Sequence, residues 1–358
     1  MPANEPKRLS VAVVSLYGRN NYGNCLQRAA VHRLLGNEGC TVESLDARSV
    51  SKDVLIERAG CKFSSVFGGF TPKLRRLSRF VAFDSQNNVR QVSLDSLADL
   101  AQSYDAFVAG SDQVWNPLMW GFDYRYNLMD FVTPAWKRIA LSPSVGLDSI
   151  PDECAESFSR ALSEYHRLSV RETSGAQALA HLLGREVEVL PDPTMALSYE
   201  EWSDFADTSF CPTGEYVVVY ELGTSGVATA RAREYAQENR MSLVVLNDTS
   251  NEYFAAGPGD FVGLIFNASV VFTDSFHAAV FSLIGHTPFE TFSRGGTSYS
   301  MGSRLRTLAE MFSIDMSDAS QMYDWEQIDS TRAQSAITMR KYLSDELLRV
   351  RGKLNAGA

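Results

Sequence analysis

Short runs of β-branched residues alternate with segments of helical hydrophobic spacing along most of this chain. Such alternation is typical of parallel sheets whose strands are joined by crossover helices. The first unit comprises a predicted strand at residues 9–16, a loop, a helix at about 25–35 and a strand at 41–45. The pattern predicts an α/β fold, and 358 residues suffice for about two domains.

The alternation occurs in two series, which predicts two Rossmann-like domains that face each other across a cleft. Further strands of the first series are predicted at residues 106–109, 138–142, 167–170 and 187–190. The second series has predicted strands at 216–220, 243–246 and 270–273 and helices at 228–239, 259–267 and 276–284. We predict domain boundaries at residues 1–205 and 206–325.

Residues 326–358 are expected to form a helix that packs back on the first domain. Its apolar side chains recur at helical spacing, at Leu343, Leu347, Val350 and Leu354. The basic residues of this helix are typical of a solvated outer face, and a membrane surface is the alternative.

The formal net charge of -10 argues against a protein that binds nucleic acid over its whole surface. Any anionic ligand must then be held by local groups. The five cysteines lie far apart in the sequence, which predicts neither a metal clamp nor a redox dithiol. The longest apolar stretch, residues 261–272, falls short of the ~20 residues of a membrane-spanning helix. We expect a cytoplasmic protein without a metal and with at most peripheral membrane association.

One segment carries the opposite charge. Residues 58–83 contain six basic residues and no acidic one, interleaved with five phenylalanines. This pattern suits a basic, aromatic flap for an anionic donor, a pyrophosphate-linked acceptor or a lipid headgroup surface. The alternative, which we favour, is an amphipathic helix with solvated cations and phenylalanines in the core.

Ligands of α/β domains bind at the carboxyl ends of the strands, and four polar segments follow predicted strands. The first contains Asn21, Gly23, Asn24 and Gln27 at the start of a predicted helix. Gly23 permits a tight turn, and free helix N–H groups can hold a phosphate, a carboxylate or a sugar hydroxyl. The alternative is an asparagine-capped helix without a ligand. The segment lacks the three-glycine dinucleotide fingerprint, which argues against a nicotinamide or flavin cofactor.

The second segment surrounds a tryptophan with polar residues, namely Ser111, Asp112, Gln113, Trp115 and Asn116. The indole offers a face for a sugar ring, and the polar side chains suit its hydroxyls. Asp112 could also accept a proton from an attacking hydroxyl. The alternative is a turn in which Ser111 and Asp112 bind backbone donors while Trp115 lies in the core.

The third segment places Arg171 at the end of a short strand, where a guanidinium can clamp a phosphate or carboxylate. A surface ion pair with Glu172 or an aspartate is the alternative. The fourth comprises Ser275, Phe276 and His277 in the first turn of a predicted helix. His277 there can meet a ligand, although a lone histidine is more often structural.

Six motifs taken in order resemble the polysaccharide pyruvyl transferase family. They are Asn-Tyr-Gly-Asn-Cys-Leu-Gln at 21–27, Gly-Ser-Asp-Gln-Val-Trp-Asn at 110–116, Ser-Val-Arg-Glu at 169–172, Asp-Pro-Thr at 192–194, Thr-Asp-Ser-Phe-His at 273–277 and Ser-Arg-Leu at 303–305. The resemblance implies a fold similar to GT-B glycosyltransferases. It also implies transfer of pyruvate from phosphoenolpyruvate, with no further cofactor, to a sugar as a cyclic ketal. The acceptor would be a cell-surface glycan or its precursor, lipid-linked or free.

By the same resemblance, Arg171 would hold the donor, and His277 would bind it or donate a proton. As an extension, we expect Asp112 and Trp115 to face the acceptor. The chain departs from the family at Ser275, because well-characterised members carry Arg-Leu-His where it has Ser-Phe-His. Arg304 or Arg294 is a candidate replacement for that arginine. Two alternatives stay open: a nucleotide-sugar glycosyltransferase of GT-B type and a non-catalytic glycan-binding protein of the same fold.

Overall fold

The first half of the chain is built around a five-stranded parallel sheet. The computed structural model describes residues 8–17, 21–47, 71–119, 121–294 and 301–357. The strands have the order β3-β2-β1-β4-β5. They are β1 (Ser10–Val14), β2 (Thr41–Asp46), β3 (Val89–Gln91), β4 (Ala106–Ala109) and β5 (Arg138–Ala140). The helices of this half are α1 (Tyr22–Asn37), α2 (Pro72–Asp84), α3 (Leu97–Ser103), α4 (Tyr124–Asn127), α5 (Asp152–Ser163), α6 (Thr173–Leu183) and α7 (Tyr199–Ser203).

The central strand β1 is buried on both faces, as parallel sheets covered by helices require. Val11 and Val13 pack into a core with Leu26 of α1, whereas Val14 packs on the opposite face with Trp115. The continuous apolar run that predicted this strand therefore reflects burial on two sides.

A second parallel sheet forms the other half, with the order β11-β10-β8-β9. Its strands are β8 (Tyr216–Tyr220), β9 (Ser242–Val245), β10 (Val270–Thr273) and β11 (Phe289–Thr291). Its helices are α8 (Val227–Asn239), α9 (Pro258–Phe266), α10 (Phe276–Ile284) and α11 (Met301–Phe312). The predicted α/β class, with a parallel sheet at the centre of each half, is confirmed. The domain boundaries at residues 205 and 325 stay predictions.

The two short strands predicted at 167–170 and 187–190 do not join the five-stranded sheet. They are β6 (Ser169–Val170) and β7 (Glu188–Val189), which pair in parallel in a sheet of their own. The Ser169 Oγ accepts a hydrogen bond from Ser142 N at 3.0 Å, just beyond β5. Arg171 N donates to Pro143 O at 3.1 Å. These contacts hold the end of β6 beside the carboxyl end of β5.

The C-terminal helix α12 (Trp325–Asn355) begins one residue before the predicted start at 326 and returns to the first half of the chain. The buried side chains Leu343, Leu347 and Val350 form its inner face. Arg349 donates to Trp136 O at 2.8 Å, and Arg340 donates to Ala196 O at 2.8 Å. The predicted return of this helix is confirmed. Within the described ranges, no helix combines the length and apolarity that a membrane crossing needs.

The helix α2 links the two halves and contains the described part of the basic segment predicted at 58–83. Residues 58–70 lie outside the described residues. The buried guanidinium of Arg76 donates to Tyr22 Oη at 2.6 Å and to the carbonyls of Leu246 and Phe254 at 3.2 and 3.0 Å. Arg79 forms an ion pair with Asp260 of α9 at 2.5 Å. These two cations therefore bridge the halves, while Arg75 is exposed.

Replacing Arg76 by methionine should lower the free energy of unfolding by about 2–3 kcal/mol, because three acceptors, two of them buried, lose their charged donor. Urea denaturation measures this loss. The matched control is Arg75→Met on the exposed neighbour, which should leave the midpoint nearly unchanged. Equal midpoints for the two variants would contradict a bridging role for Arg76.

Candidate active site

A cleft of about 210 Å³ lies between the two halves of the molecule. The first half contributes Asn21 and Asn24 from the start of α1 and Asp112 and Gln113 from the loop after β4. The second half contributes Ser275, Phe276 and His277 from the start of α10, together with Arg294 and Arg304. All nine of these residues were named from the sequence, and two helix N-termini open into the cleft that they line.

His277 packs directly against Gly23 of the opposite half. Ser275 caps α10, since its Oγ accepts a hydrogen bond from Ala278 N at 3.5 Å. A Cβ atom at position 23 would lie 2.1 Å from His277 Nδ1, which is far inside van der Waals contact. Gly23 lies within α1 and does not form the tight turn that we predicted. This glycine is instead required by the close approach of the imidazole.

Asp112 has a strained backbone, with φ at 65° and ψ at −175°. Residues other than glycine rarely adopt this region, and such strain typically costs about 1–3 kcal/mol. Its carboxylate accepts hydrogen bonds from Asn24 Nδ2 and from Gln113 N. Burial opposes ionisation of Asp112, but the charges of Arg171, His277 and Arg304 lower its pKa. The neighbouring cations therefore keep the Asp112 carboxylate ionised in the cleft lining.

Arg171 lies behind the cleft lining and is held by carboxylates. Its Nη1 donates to Asp192, and its Nη2 lies 3.5 Å from Asp112 Oδ1. Burial alone would lower the pKa of Arg171, but these two aspartates raise it. The alternative pair with Glu172 does not form, because that carboxylate accepts from Val145 N and Gly146 N. The predicted anion clamp is thus a buried supporting cation, whose guanidinium carbon lies 4.6 Å over the Phe276 ring.

Arg304 is the buried cation of the cleft lining. Burial, and next the like charge of Arg171, lower its pKa to about 10. When the Gln113 amide is oriented with its oxygen toward Arg304, this oxygen accepts hydrogen bonds from Nη2 at 2.7 Å and from Nη1 at 3.1 Å. Arg304 Nη1 also lies 3.9 Å from Asp112 Oδ1, at the limit of an ion pair. An anionic ligand in the cleft would stabilise this guanidinium.

Arg294 approaches the same cleft from the segment after β11. Its Nε lies 3.4 Å from Asp274 Oδ2. The Asp274 carboxylate also accepts from Leu222 N at 2.7 Å and Gly223 N at 2.6 Å. Both arginines that we named as replacements for the family arginine therefore line the cleft beside Ser275.

Besides Arg171 and Gly23, four predicted binding residues do not line the cleft. Trp115 is fully buried, and its Nε1 donates to Asn127 O at 3.1 Å, which corrects the expectation that it faces an acceptor. Asn116 is buried and accepts from Leu118 N at 3.0 Å. Gln27 donates to Ser15 Oγ and Asn24 O, and Ser111 donates to Asp192 Oδ2 at 3.0 Å. These side chains support the site from within the core.

Sequence reasoning gave no role to Asp192, although this aspartate contacts Arg171. The available signal was its place two residues after a predicted strand, the rule that selected the other segments. Met119 and Leu222 also line the cleft without having been predicted. Within the described ranges, no group of three or more acidic, histidine or cysteine side chains is arranged to hold a metal ion.

The family comparison agrees with the motifs. The family model for polysaccharide pyruvyl transferase matches residues 21–294, more than half of the chain. The chain belongs to the polysaccharide pyruvyl transferase family. The match includes every cleft residue named above except Arg304. A search of curated proteins with this sequence found no match.

Solved structures resemble this pyruvyl transferase family member at low sequence identity. The N-terminal domain of Candida albicans trehalose-6-phosphate phosphatase is 9% identical with a TM-score of 0.43, and the alignment covers 98% of each chain. Arabidopsis thaliana UGT89C1 in complex with UDP-L-rhamnose is 10% identical with a TM-score of 0.46, covering 95% of this chain and 94% of that one. The spinosyn forosaminyltransferase SpnP is 12% identical with a TM-score of 0.41, covering 95% and 96%. The family assignment rests on the family model.

Proposed function

We propose that this chain transfers a pyruvyl group from phosphoenolpyruvate to a sugar of a cell-surface glycan or its precursor. The observation that carries the proposal is the buried guanidinium of Arg304 in the cleft lining, which shares the cleft with Arg294 and His277. Such a cation is stabilised by an anion, and phosphoenolpyruvate carries both a phosphate and a carboxylate. Arg294 and two helix N-termini open onto the same cleft, which supports binding of a ligand with two anionic groups.

The proposed reaction balances with two acceptor hydroxyls. One hydroxyl oxygen adds to C2 of phosphoenolpyruvate while the methylene carbon gains a proton and becomes a methyl group. The second hydroxyl oxygen then displaces the phosphate from C2, which leaves a cyclic ketal. Of the two protons that the hydroxyls lose, one is balanced by the proton gained at the methyl group and the other leaves on the inorganic phosphate. We assign the proton delivery to His277, because its imidazole lies in the cleft at the start of α10.

We assign Asp112 to orientation of the cations. A carboxylate whose pKa lies below its usual value is a weak proton acceptor at neutral pH. Its contacts with Asn24, Arg171 and Arg304 suit a fixed negative charge that aligns the donor-binding groups. This assignment revises our expectation that Asp112 removes a proton from the acceptor.

The direct test incubates the purified protein with phosphoenolpyruvate and a panel of glycan acceptors, including lipid-linked precursors. We expect release of inorganic phosphate and an acceptor that carries a pyruvate ketal, measured by a phosphate assay and mass spectrometry. Calorimetry with phosphoenolpyruvate alone should detect binding. Stabilisation by UDP- or GDP-sugars in thermal shift, with no binding of phosphoenolpyruvate, would instead favour a nucleotide-sugar glycosyltransferase. Glycan binding without any turnover would favour the non-catalytic alternative.

The variant Arg304→Gln should raise KM for phosphoenolpyruvate by about 10- to 150-fold, because a charge-assisted contact contributes about 1.5–3 kcal/mol. The matched control is Arg306→Gln, which removes an exposed arginine from the same helix outside the cleft. The control should keep KM within twofold of the parent. Equal effects of the two substitutions would argue against donor binding by Arg304.

A further inference from the structure

The carboxylate of Asp192 is fixed in a buried turn after β7. Its Oδ1 accepts from Thr194 N at 3.0 Å and from Thr194 Oγ1 at 2.8 Å. Asp192 is 1% exposed, so its charge cannot be solvated by water. With Oδ1 occupied by Thr194, the direction of Oδ2 is set by the turn.

Asp192 Oδ2 faces three groups of the site. Ser111 Oγ donates to it at 3.0 Å, and Arg171 Nη1 donates a charge-assisted hydrogen bond. The third group is His277 Nε2, at 3.7 Å. That nitrogen is buried and makes no hydrogen bond within the described residues. Carboxylate contacts of this kind often tighten when substrate binds.

The turn that bears Asp192 is held from outside the cleft. Trp202 Nε1 donates to Thr194 O at 2.9 Å. The C-terminal helix adds hydrogen bonds from Arg340 to Ala196 O at 2.8 Å and from Arg332 to Leu197 O at 3.1 Å. Three hydrogen bonds from two helices, α7 and α12, thus hold the turn that carries this carboxylate behind the cleft.

We propose that Asp192 is the positioning residue of His277. It keeps a proton on Nε2 directed at Oδ2 and thereby holds the imidazole over Gly23, while it also anchors Arg171. The inference rests on the proposed function for its catalytic consequence, because the proton that His277 delivers depends on the orientation of this ring. The Asp-Pro-Thr motif thereby gains a role in the site.

The test uses Asp192→Asn with histidine labelled by ¹⁵N, and His277→Gln assigns the signals of the ring. We expect the parent to show a protonated Nε2, and the variant to show a changed distribution of the proton between Nε2 and Nδ1. The kcat for pyruvyl transfer should fall by about 10- to 100-fold, as for other partners that orient functional histidines. We expect KM for phosphoenolpyruvate to change less than kcat.

Two further variants keep the test decisive. Asp260→Asn is the matched control. Like Asp192, Asp260 is a buried carboxylate that pairs with an arginine, in its case Arg79. This control should leave the His277 signals unchanged. If Asp192→Asn does not fold, Ser111→Ala replaces it, because loss of one hydrogen bond to Oδ2 should still alter the His277 signals and lower kcat.

The inference is overturned if the His277 signals and kcat of the folded variant match those of the parent. The NMR measurement needs no substrate, so it separates the two proposals. Altered His277 signals in a protein that never consumes phosphoenolpyruvate would support positioning by Asp192 and reject the proposed function. If the protein consumes phosphoenolpyruvate and Asp192→Asn changes neither kcat nor the His277 signals, the proposed function would be supported and positioning by Asp192 would be rejected.

Discussion

Replacing Gly23 by alanine should reduce pyruvyl transfer by more than about 100-fold while the chain stays folded. The added Cβ would lie 2.1 Å from Nδ1 of His277 and 2.5 Å from its Cε1, so the imidazole must move. A displacement of this size at a reacting group costs on the order of 100-fold in rate. The stability of the fold should rise although the activity falls, because alanine in a helix is more favourable than glycine by about 0.5–1 kcal/mol. Steady-state kinetics and a thermal melt measure the two effects.

The same helix supplies the control for this prediction. Gly36 also lies in α1, and a Cβ there would meet nothing within 4 Å. Gly36→Ala should therefore keep full activity and retain only the gain in helix propensity. If Gly23→Ala retained activity within threefold of the parent, contact between His277 and the start of α1 would not matter for function.

Replacing Arg171 by methionine should lower the free energy of unfolding by about 3–5 kcal/mol at pH 7. The substitution leaves Asp112 and Asp192 buried without their shared cation, and breaking a buried ion pair from one side typically costs this much. Such a loss is a large share of the roughly 5–15 kcal/mol that stabilise an ordinary domain. Urea denaturation measures it. An equivalent loss from Lys341→Met, which breaks an exposed ion pair with Asp345, would contradict this explanation.

The stability difference between the parent and Arg171→Met should depend on pH in a defined direction. In the folded parent, the pKa values of Asp112 and Asp192 lie below their usual range. Burial opposes ionisation of these carboxyls, but the charge of Arg171 favours it more strongly than any other neighbouring group. A carboxyl group whose pKa is lowered by folding stabilises the folded state at pH values above its unfolded pKa of about 3.9. This stabilisation is lost as the pH falls toward the folded pKa. The difference in the free energy of unfolding between the parent and Arg171→Met should therefore be largest at neutral pH and should decrease below about pH 4. A constant difference from pH 7 to pH 3 would exclude a role for these two carboxylates.

The secondary structure could be predicted from the sequence where local pattern and burial agree. The strands β4, β8 and β10 have the bounds that their apolar runs predicted, because each is buried along its whole length. The strand β1 is shorter than the apolar run at 9–16, and α12 begins earlier than its apolar stripe. Strand ends and helix starts depend on hydrogen bonds with neighbouring elements, which a local pattern does not contain.

The roles of single polar residues were predicted less well than the segments that carry them. Position after a strand correctly selected Asn24, Asp112 and His277 for the cleft. The same rule selected Trp115, which the structure places in the core with its Nε1 bound to Asn127. The rule identifies the correct edge of the sheet, but it does not tell which side chains of a loop point outward.

The sequence alone determined the α/β class, the two parallel sheets, the returning helix and the family. These properties follow from hydrophobic periodicity and from short motifs, both of which are local. Only the tertiary structure decided that His277 requires Gly23, that Asp192 faces both His277 and Arg171, and that Arg76 bridges the halves. Each of these contacts joins residues far apart in the chain. Their distances depend on how the two sheets pack against each other, which no local pattern specifies.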